Sequence, residues 1–130
     1  MYVLDTNTLI HFFKGMGRVS DRMVHVPPEE IGIPAVVVYE LEVGLANAPA
    51  GQRRREQLAG LFEQARVLPF GRAQARAAAE LRTKLDQLGL SIGPPGTLIA
   101  GTALAASATL VTHDTRAFER VPDLTVEDWY

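Results

Sequence analysis

The sequence predicts an α/β fold, namely a three-layer α/β/α sandwich around a mainly parallel sheet of about four to five strands. Two observations predict it. Short apolar segments typical of buried strands alternate with longer segments of helical composition, and such alternation favours a parallel sheet. The chain has 130 residues, of which 47% are apolar and 22% charged, which is enough for one ordinary core. Because no repeat, low-complexity tract or domain boundary is visible, we expect residues 1–130 to form a single domain.

The first strand and helix follow from the N-terminal residues. Residues 2–4 are apolar and form a strand that ends at Asp5. Three residues with capping side chains come next, ahead of a helix through residues 9–13 that stops near Gly15. A second short helix is expected over residues 19–24.

The middle of the chain holds one strand and two helices. Residues 31–33 form the strand. Pro34 suits the first position of the next helix, since its missing N–H is not needed there, and we expect this helix to reach about residue 46. Residues 47–51 form a linker, and a polar helix follows over residues 52–65.

The last part of the chain contains the clearest helix of the sequence. Ala78, Leu81, Leu85 and Leu88 recur at helical spacing and form one apolar face. The elements expected here are a strand end at residues 67–70, a helix over 72–88, a turn at 93–96, a helix over 97–106, and strands at 109–112 and 124–126.

Composition excludes several classes of function. There is no cysteine, which excludes disulfides, thiol catalysis and zinc–thiolate sites. No basic region precedes a long apolar stretch at the N-terminus, so we expect no secretory signal, and no apolar run approaches the length of a membrane span. A cytoplasmic protein with no membrane partner is the simplest interpretation. The formal net charge is −2, so any nucleic-acid binding must rest on a local patch.

Three acidic residues stand out by their positions. Asp5 and Asp114 follow directly on predicted strands, and ligands of open parallel sheets bind beyond the carboxyl ends of the strands. Glu40 shares a helical stripe with three valines, and an acid on an apolar stripe is costly unless a cation pairs with it. That cation can be a metal ion, a lysine or an arginine.

Each acid also has a simpler interpretation. Asp5 can cap the first helix, Asp114 can be an ordinary turn residue, and Glu40 can be exposed or paired with an arginine. The segment from Asp5 to Thr8 is also similar to the Asp-x-Asp opening of phosphatases that form an aspartyl-phosphate, with Asn7 in place of the second acid. A phosphatase with Asp5 as its nucleophile therefore stays open as an alternative.

Several segments in a fixed order point to a known family. They are Val-Leu-Asp-Thr-Asn at residues 3–7, Tyr-Glu-Leu-Glu-Val-Gly at 39–44, Ile-Gly-Pro at 92–94, Leu-Ile-Ala at 98–100, Thr-Leu-Val-Thr-His-Asp at 109–114, and Phe118. In this order and spacing they resemble a PIN-domain ribonuclease, and more closely a VapC-type toxin of bacterial toxin–antitoxin pairs. The resemblance covers nearly the whole chain.

The resemblance implies a site for Mg²⁺ or Mn²⁺ at one end of the sheet, where RNA phosphodiesters are hydrolysed. Asp5, Glu40 and Asp114 match the first, second and fourth acids of the family pattern, and are the catalytic and metal-binding residues it implies. The third acid falls on Gly96. Because a divalent ion offsets the repulsion between clustered carboxylates, the loss of one ligand predicts weaker metal binding and reduced or absent cleavage.

Gly96 leaves three explanations open. The chain is an engineered variant that tolerates expression of a toxic enzyme, a natural member that is weakened or inactive, or an enzyme for which Asp5, Glu40 and Asp114 suffice with additional waters. The flanking segments fit the pattern well, so we favour a substitution in an otherwise intact site.

Further candidate residues follow from their positions beside the acids, and the partners follow from the resemblance. Thr6, Asn7 and Thr112 are candidates for orienting an acid or a metal-bound water, and each also has an ordinary structural role as a cap or strand residue. Arg116 is the candidate RNA contact because it follows Asp114 closely. The implied partners are an RNA substrate, a cognate VapB-like antitoxin and a second copy of the chain. A module that holds RNA or antitoxin without cutting is the alternative function.

Overall fold

The computed structural model describes residues 1–47 and 51–130. These ranges contain five strands, seven helices and one short 3₁₀ helix, Pro28–Glu30. The strands are β1 (Tyr2–Leu4), β2 (Ile31–Pro34), β3 (Arg66–Leu68), β4 (Thr109–Val111) and β5 (Thr125–Glu127). The helices are α1 (Thr6–Lys14), α2 (Val19–Met23), α3 (Ala35–Ala46), α4 (Gly51–Gln64), α5 (Arg72–Gln87), α6 (Pro94–Ala105) and α7 (Thr115–Phe118).

The five strands form one sheet in the order β3-β2-β1-β4-β5, and every neighbouring pair is parallel. The predicted α/β sandwich is thereby confirmed, with a sheet that is wholly rather than mainly parallel. β2 and β3 follow one another on one side of β1, and β4 and β5 follow one another on its other side. The strand order therefore reverses between β1 and β4, and such a reversal point is where ligands bind in open α/β sheets.

The centre of the sheet is the core of the molecule. Val3 and Leu4 of β1 and Leu110 and Val111 of β4 are all fully buried, as expected for strands covered on both faces. The register pairs Leu4 with Val111. The residues that follow these two strands therefore emerge side by side at one edge of the sheet.

Helices α5 and α6 pack against each other at unusually short range. A Cβ atom added at Gly101 of α6 would lie 2.6 Å from Cβ and 2.7 Å from Cα of Ala78 on α5. Since real Cβ contacts are longer than this, the glycine is what allows the two helix backbones to approach. No helix in the described ranges is both long and apolar enough to cross a bilayer.

Several predicted boundaries differ from the observed ones. Helix α6 begins at Pro94 rather than at residue 97, because two consecutive prolines occupy its first turn, where no N–H is needed. Pro34 is the last residue of β2 rather than the first residue of α3, whereas the predicted extent of that helix, from Ala35 to about residue 46, is confirmed. β3 ends at Leu68 because Pro69 cannot donate to a strand ladder.

The cap of α1, the short helix α7 and the predicted linker also bear on the sequence-based prediction. Asp5, rather than the three residues after it, caps α1. The one-turn helix α7 was not predicted, since four residues carry too little periodicity to detect. Of the predicted linker 47–51, residues 48–50 lie outside the described ranges.

Candidate active site

The candidate site lies where the strand order reverses. Asp5 follows β1, and Thr112 and Asp114 follow β4, so these residues come from the two strands on either side of the reversal point. The backbone N–H of Asp5 donates to the carbonyl of Val111 over 3.2 Å and fixes the relative position of the two strand ends. The sheet therefore brings together residues that are more than a hundred positions apart in the chain.

Asp5 is a buried carboxylate with hydrogen bonds on both oxygens. Its Oδ1 accepts the backbone N–H of Thr8 over 2.9 Å, which is an N-terminal helix cap. Its Oδ2 accepts the hydroxyl of Thr112 over 2.5 Å. The capping interpretation of Asp5 is thus correct as far as it goes, but the second bond ties the same carboxylate to the other strand. A negative charge is also favoured at the N-terminus of a helix such as α1.

Asp114 is connected to Asp5 through the same threonine. The backbone N–H of Asp114 donates to Oγ1 of Thr112 over 3.0 Å, and Thr112 is completely buried. The side chain of Asp114 is exposed at the start of α7. Thr112 is therefore a bridge between a buried and an exposed acid.

Glu40 lies on α3 and contacts the residue that follows Asp5. Its Oε1 accepts the hydroxyl of Thr6 over 2.6 Å, and the residue is half-buried. No ion pair involves Glu40 in the part of the chain that the structure describes, so the arginine-paired alternative finds no support there. The valine stripe expected around Glu40 is only partly buried, because Val43 is exposed.

Two of the other candidate residues stand apart from this arrangement. Asn7 is exposed on α1, and Arg116 is exposed on α7. Within residues 1–47 and 51–130, neither side chain makes a hydrogen bond that would join it to the acids. Their assigned roles stay predictions.

Gly96 lies in the first turn of α6, beside α7. A Cβ added there would meet only ordinary contacts, 3.5 Å from Cζ of Phe118 and 3.7 Å from Cβ of Ile92. Its backbone φ is not in the left-handed region, so nothing in the backbone demands glycine. The fold therefore has room for a larger side chain at the position where the family pattern has its third acid.

The donor set determines what ion the site can hold. Among the described residues, no three His, Asp or Glu side chains are grouped closely enough to form a metal cluster. The carboxylates of Asp5 and Glu40, which lie on either side of Thr6, nevertheless offer the hard oxygen ligands that Mg²⁺ prefers. This ion usually takes only one or two carboxylates and completes its shell with water and phosphate oxygens. The chemistry of these residues therefore suits a hard divalent cation that takes most of its ligands from water and phosphate.

A groove of about 300 Å³ opens beside Glu40, between α1, α3 and α4. Its floor is mostly apolar, and Lys14 and Arg54 line it together with Glu40. The guanidinium of Arg54 lies 5.1 Å from the ring centre of Phe13, a cation–π distance. Phe13 itself lines the groove.

Two contributions to the site were not predicted from the sequence. Thr8 holds Asp5 through its N–H and donates its hydroxyl to the Val111 carbonyl over 3.2 Å. Asp128, just after β5, accepts from His113 at the same edge of the sheet. The signal for Asp128 was present, since it follows a strand as Asp5 and Asp114 do.

Comparisons with known proteins agree with this geometry. The PIN domain sequence profile matches residues 2–124. Ribonuclease VapC2 of Rickettsia felis is 30% identical, with 99% of this chain and 98% of that protein covered. The tRNA(fMet)-specific endonuclease VapC of Salmonella typhimurium is 28% identical, with 98% and 97% covered.

Solved structures of VapBC complexes contain chains with the same fold. The VapBC2 complex of Rickettsia felis, bound to a DNA fragment from its promoter, contains a chain that matches with a TM-score of 0.91 at 30% identity, covering 99% of this chain and 98% of that one. A DNA-bound VapBC complex from Salmonella typhimurium matches with a TM-score of 0.91 at 28% identity and the same coverage. With the sequence profile, the relatives and the fold in agreement, this chain belongs to the PIN-domain family and, within it, to the VapC group.

Proposed function

We propose that this chain is a metal-dependent endoribonuclease of the VapC type, weakened by Gly96 and neutralised by a VapB-like antitoxin. One observation carries the proposal. The hydroxyls of Thr6 and Thr112 donate to the carboxylates of Glu40 and Asp5, and Thr112 also accepts the backbone N–H of Asp114. Membership of a group whose named relatives are ribonucleases supports the same activity.

The chain's own residues account for the positioning and the proton transfer. Mg²⁺ or Mn²⁺, held by Asp5 and Glu40 with help from Asp114, would lower the pKa of a water and offset charge on the phosphate. Thr6 holds Oε1 of Glu40, which leaves Oε2 to take the proton of the attacking water. The water oxygen bonds to phosphorus, the P–O bond to the adjoining nucleotide breaks, and the departing oxygen takes a proton from solvent.

Gly96 sets the level of activity. It supplies no carboxylate to the site, so metal affinity and cleavage are lower than an acid at this position would give. A Cβ at Gly96 would meet only ordinary contacts, which supports the view that an acid can be accommodated there. The same glycine favours the second candidate function, in which the chain binds RNA or antitoxin without cutting.

The groove beside Glu40 is the proposed antitoxin site. An apolar floor with Lys14 and Arg54 along it suits a peptide with an apolar anchor and an acidic side chain. Because Glu40 lines the same groove, a peptide seated there would cover one of the catalytic acids. The matched structures of VapBC complexes support an antitoxin partner. The homodimer, the cytoplasmic location and the single-domain boundary stay predictions.

The test is RNA cleavage by this chain and its Gly96→Asp variant, free of antitoxin, with Mg²⁺, with Mn²⁺ and with EDTA. We expect cleavage that needs metal and is faster in the variant, and none in a matched Asp5→Asn, Gly96→Asp double variant. Equal cleavage by both chains would show that the three acids suffice. If neither chain cuts but both bind RNA, the binding-module function is correct. Turnover of small phosphomonoesters would instead favour the aspartyl-phosphate chemistry.

A further inference from the structure

A cluster of aromatic rings lies at the edge of the candidate site, on the side of β5. The rings of His113 and Tyr130 are stacked, with centres 4.3 Å apart and planes 24° from parallel. The ring of His11 meets both edge-on, at 4.9 Å from Tyr130 and 5.8 Å from His113. None of these residues has a part in the mechanism proposed above.

The carboxylate of Asp128 holds both His113 and Tyr130. The backbone N–H of Tyr130 donates to Oδ1 of Asp128, and Nδ1 of His113 lies 2.9 Å from Oδ2 of the same carboxylate. Burial raises the pKa of Asp128, but the bonds from Tyr130 and His113 outweigh it and keep this pKa below its ordinary value. An ionised carboxylate can only accept, so Nδ1 of His113 carries the proton.

The other side of Tyr130 is closed by the turn after α1. A Cβ at Gly17 would lie 2.8 Å from Cγ and from the backbone of Tyr130, so this ring is fitted between Gly17 and His113. Tyr130 is still 40% exposed, and the His113 side chain is 51% exposed. The stack therefore ends in a fixed ring that still presents surface to solvent.

The position of this ring suggests its ligand. His113 stands between Thr112, which holds Asp5, and Asp114, a proposed catalytic acid. Histidine and tyrosine rings are common stacking partners for the unstacked bases of single-stranded RNA. A ring ordered in advance loses little freedom on binding.

We propose that His113, supported by Tyr130, is a stacking platform for one nucleobase of a single-stranded RNA segment next to the phosphate to be cut. The platform rests on the proposed ribonuclease function, and it adds a base contact to a site otherwise made of acids. It lies on the β5 side of the acids, opposite the groove that contains Glu40.

The test uses short single-stranded RNAs, each with one 2-aminopurine and an end-attached fluorescein, in EDTA so that nothing is cut. Anisotropy reports binding, and quenching of 2-aminopurine reports stacking at one position. We expect His113→Ala and His113→Leu to weaken binding about 5- to 100-fold and to remove quenching at one position. His113→Phe should keep both, and His25→Ala, at another exposed histidine, should change neither.

The outcomes separate the platform from the function. If His113→Ala and His113→Leu bind RNA and quench 2-aminopurine as the unaltered chain does, the platform proposal is wrong and the ribonuclease proposal is unaffected. Loss of binding in His113→Phe as well as in His113→Leu would also overturn it, because the ring would then not be the contact. The unaltered chain is also tested with Mg²⁺. If it neither binds these RNAs in EDTA nor binds or cuts them in Mg²⁺, the proposed function fails together with the platform.

Discussion

Thr112 donates a hydrogen bond of 2.5 Å from its buried hydroxyl to Oδ2 of Asp5. The same hydroxyl accepts the backbone N–H of Asp114 over 3.0 Å. One side chain thus holds the buried carboxylate of Asp5 and the backbone of Asp114. The bond also stabilises a carboxylate that would be costly to bury without partners.

Replacing Thr112 by valine should lower both stability and activity. Valine has nearly the same shape but leaves Oδ2 of Asp5 and the N–H of Asp114 without this partner. A hydrogen bond to a charged group contributes about 1.5–3 kcal/mol, and we expect a loss of that size in the free energy of unfolding measured with urea. Thr112→Ser keeps the hydroxyl and is the matched control. Equal stability of the valine and serine variants would show that this bond contributes nothing.

Gly96→Asp should tighten metal binding. A Cβ at this position meets only ordinary van der Waals contacts in the first turn of α6, and the family pattern has an acid here. We expect Mn²⁺ affinity measured by titration calorimetry to rise by about tenfold or more, or about 1.4 kcal/mol. Gly96→Asn fills the same volume without the charge and should gain much less. Equal affinities for both variants and the unaltered chain would place Gly96 outside the metal site.

Alanine at the two glycines of α6 should have opposite effects. At Gly96 there is room, and alanine should raise the free energy of unfolding by about 0.4–1 kcal/mol by restricting the unfolded chain. At Gly101 the new Cβ would overlap the backbone of Ala78. There we expect a net loss of about 1–3 kcal/mol, since the helices must separate. Thermal or urea unfolding of the two variants side by side measures this contrast, and a stabilised Gly101→Ala would contradict the close packing of α5 on α6.

The sequence singles out Asp5 and Asp114 one by one as candidates, because each follows an apolar strand segment. It could not show that Thr112 joins them. That contact depends on β4 lying beside β1, and the order β3-β2-β1-β4-β5 is a property of the folded sheet. A buried strand threonine has no local signal that separates this role from an ordinary structural one.

Local sequence signals were also too weak to predict the start of α6 and the cluster of aromatic rings. Pro94 and Pro95 indicate a turn as readily as a helix start, and only the packing of the first turn of α6 beside Phe118 distinguishes the two. His11, His113 and Tyr130 belong to three separate segments of the sequence. Their rings meet because β1, β4 and β5 are neighbours whose carboxyl ends lie at the same edge.

Asp128 makes the stability of this edge depend on pH. The pKa of Asp128 is lowered in the folded chain although burial opposes the shift, because Tyr130 and His113 stabilise the ionised form. A carboxylate with a lowered native pKa contributes stability above its unfolded pKa of about 4 and loses it as the pH falls through the lower native value. Asp128→Asn removes the charge but keeps the shape. Urea midpoints should therefore differ between the unaltered chain and this variant at about pH 6, with the unaltered chain more stable, and should converge as the pH is lowered from about 4. A difference that stays constant down to pH values where the chain still folds would mean that the ionised carboxylate does not hold His113 and Tyr130 in place.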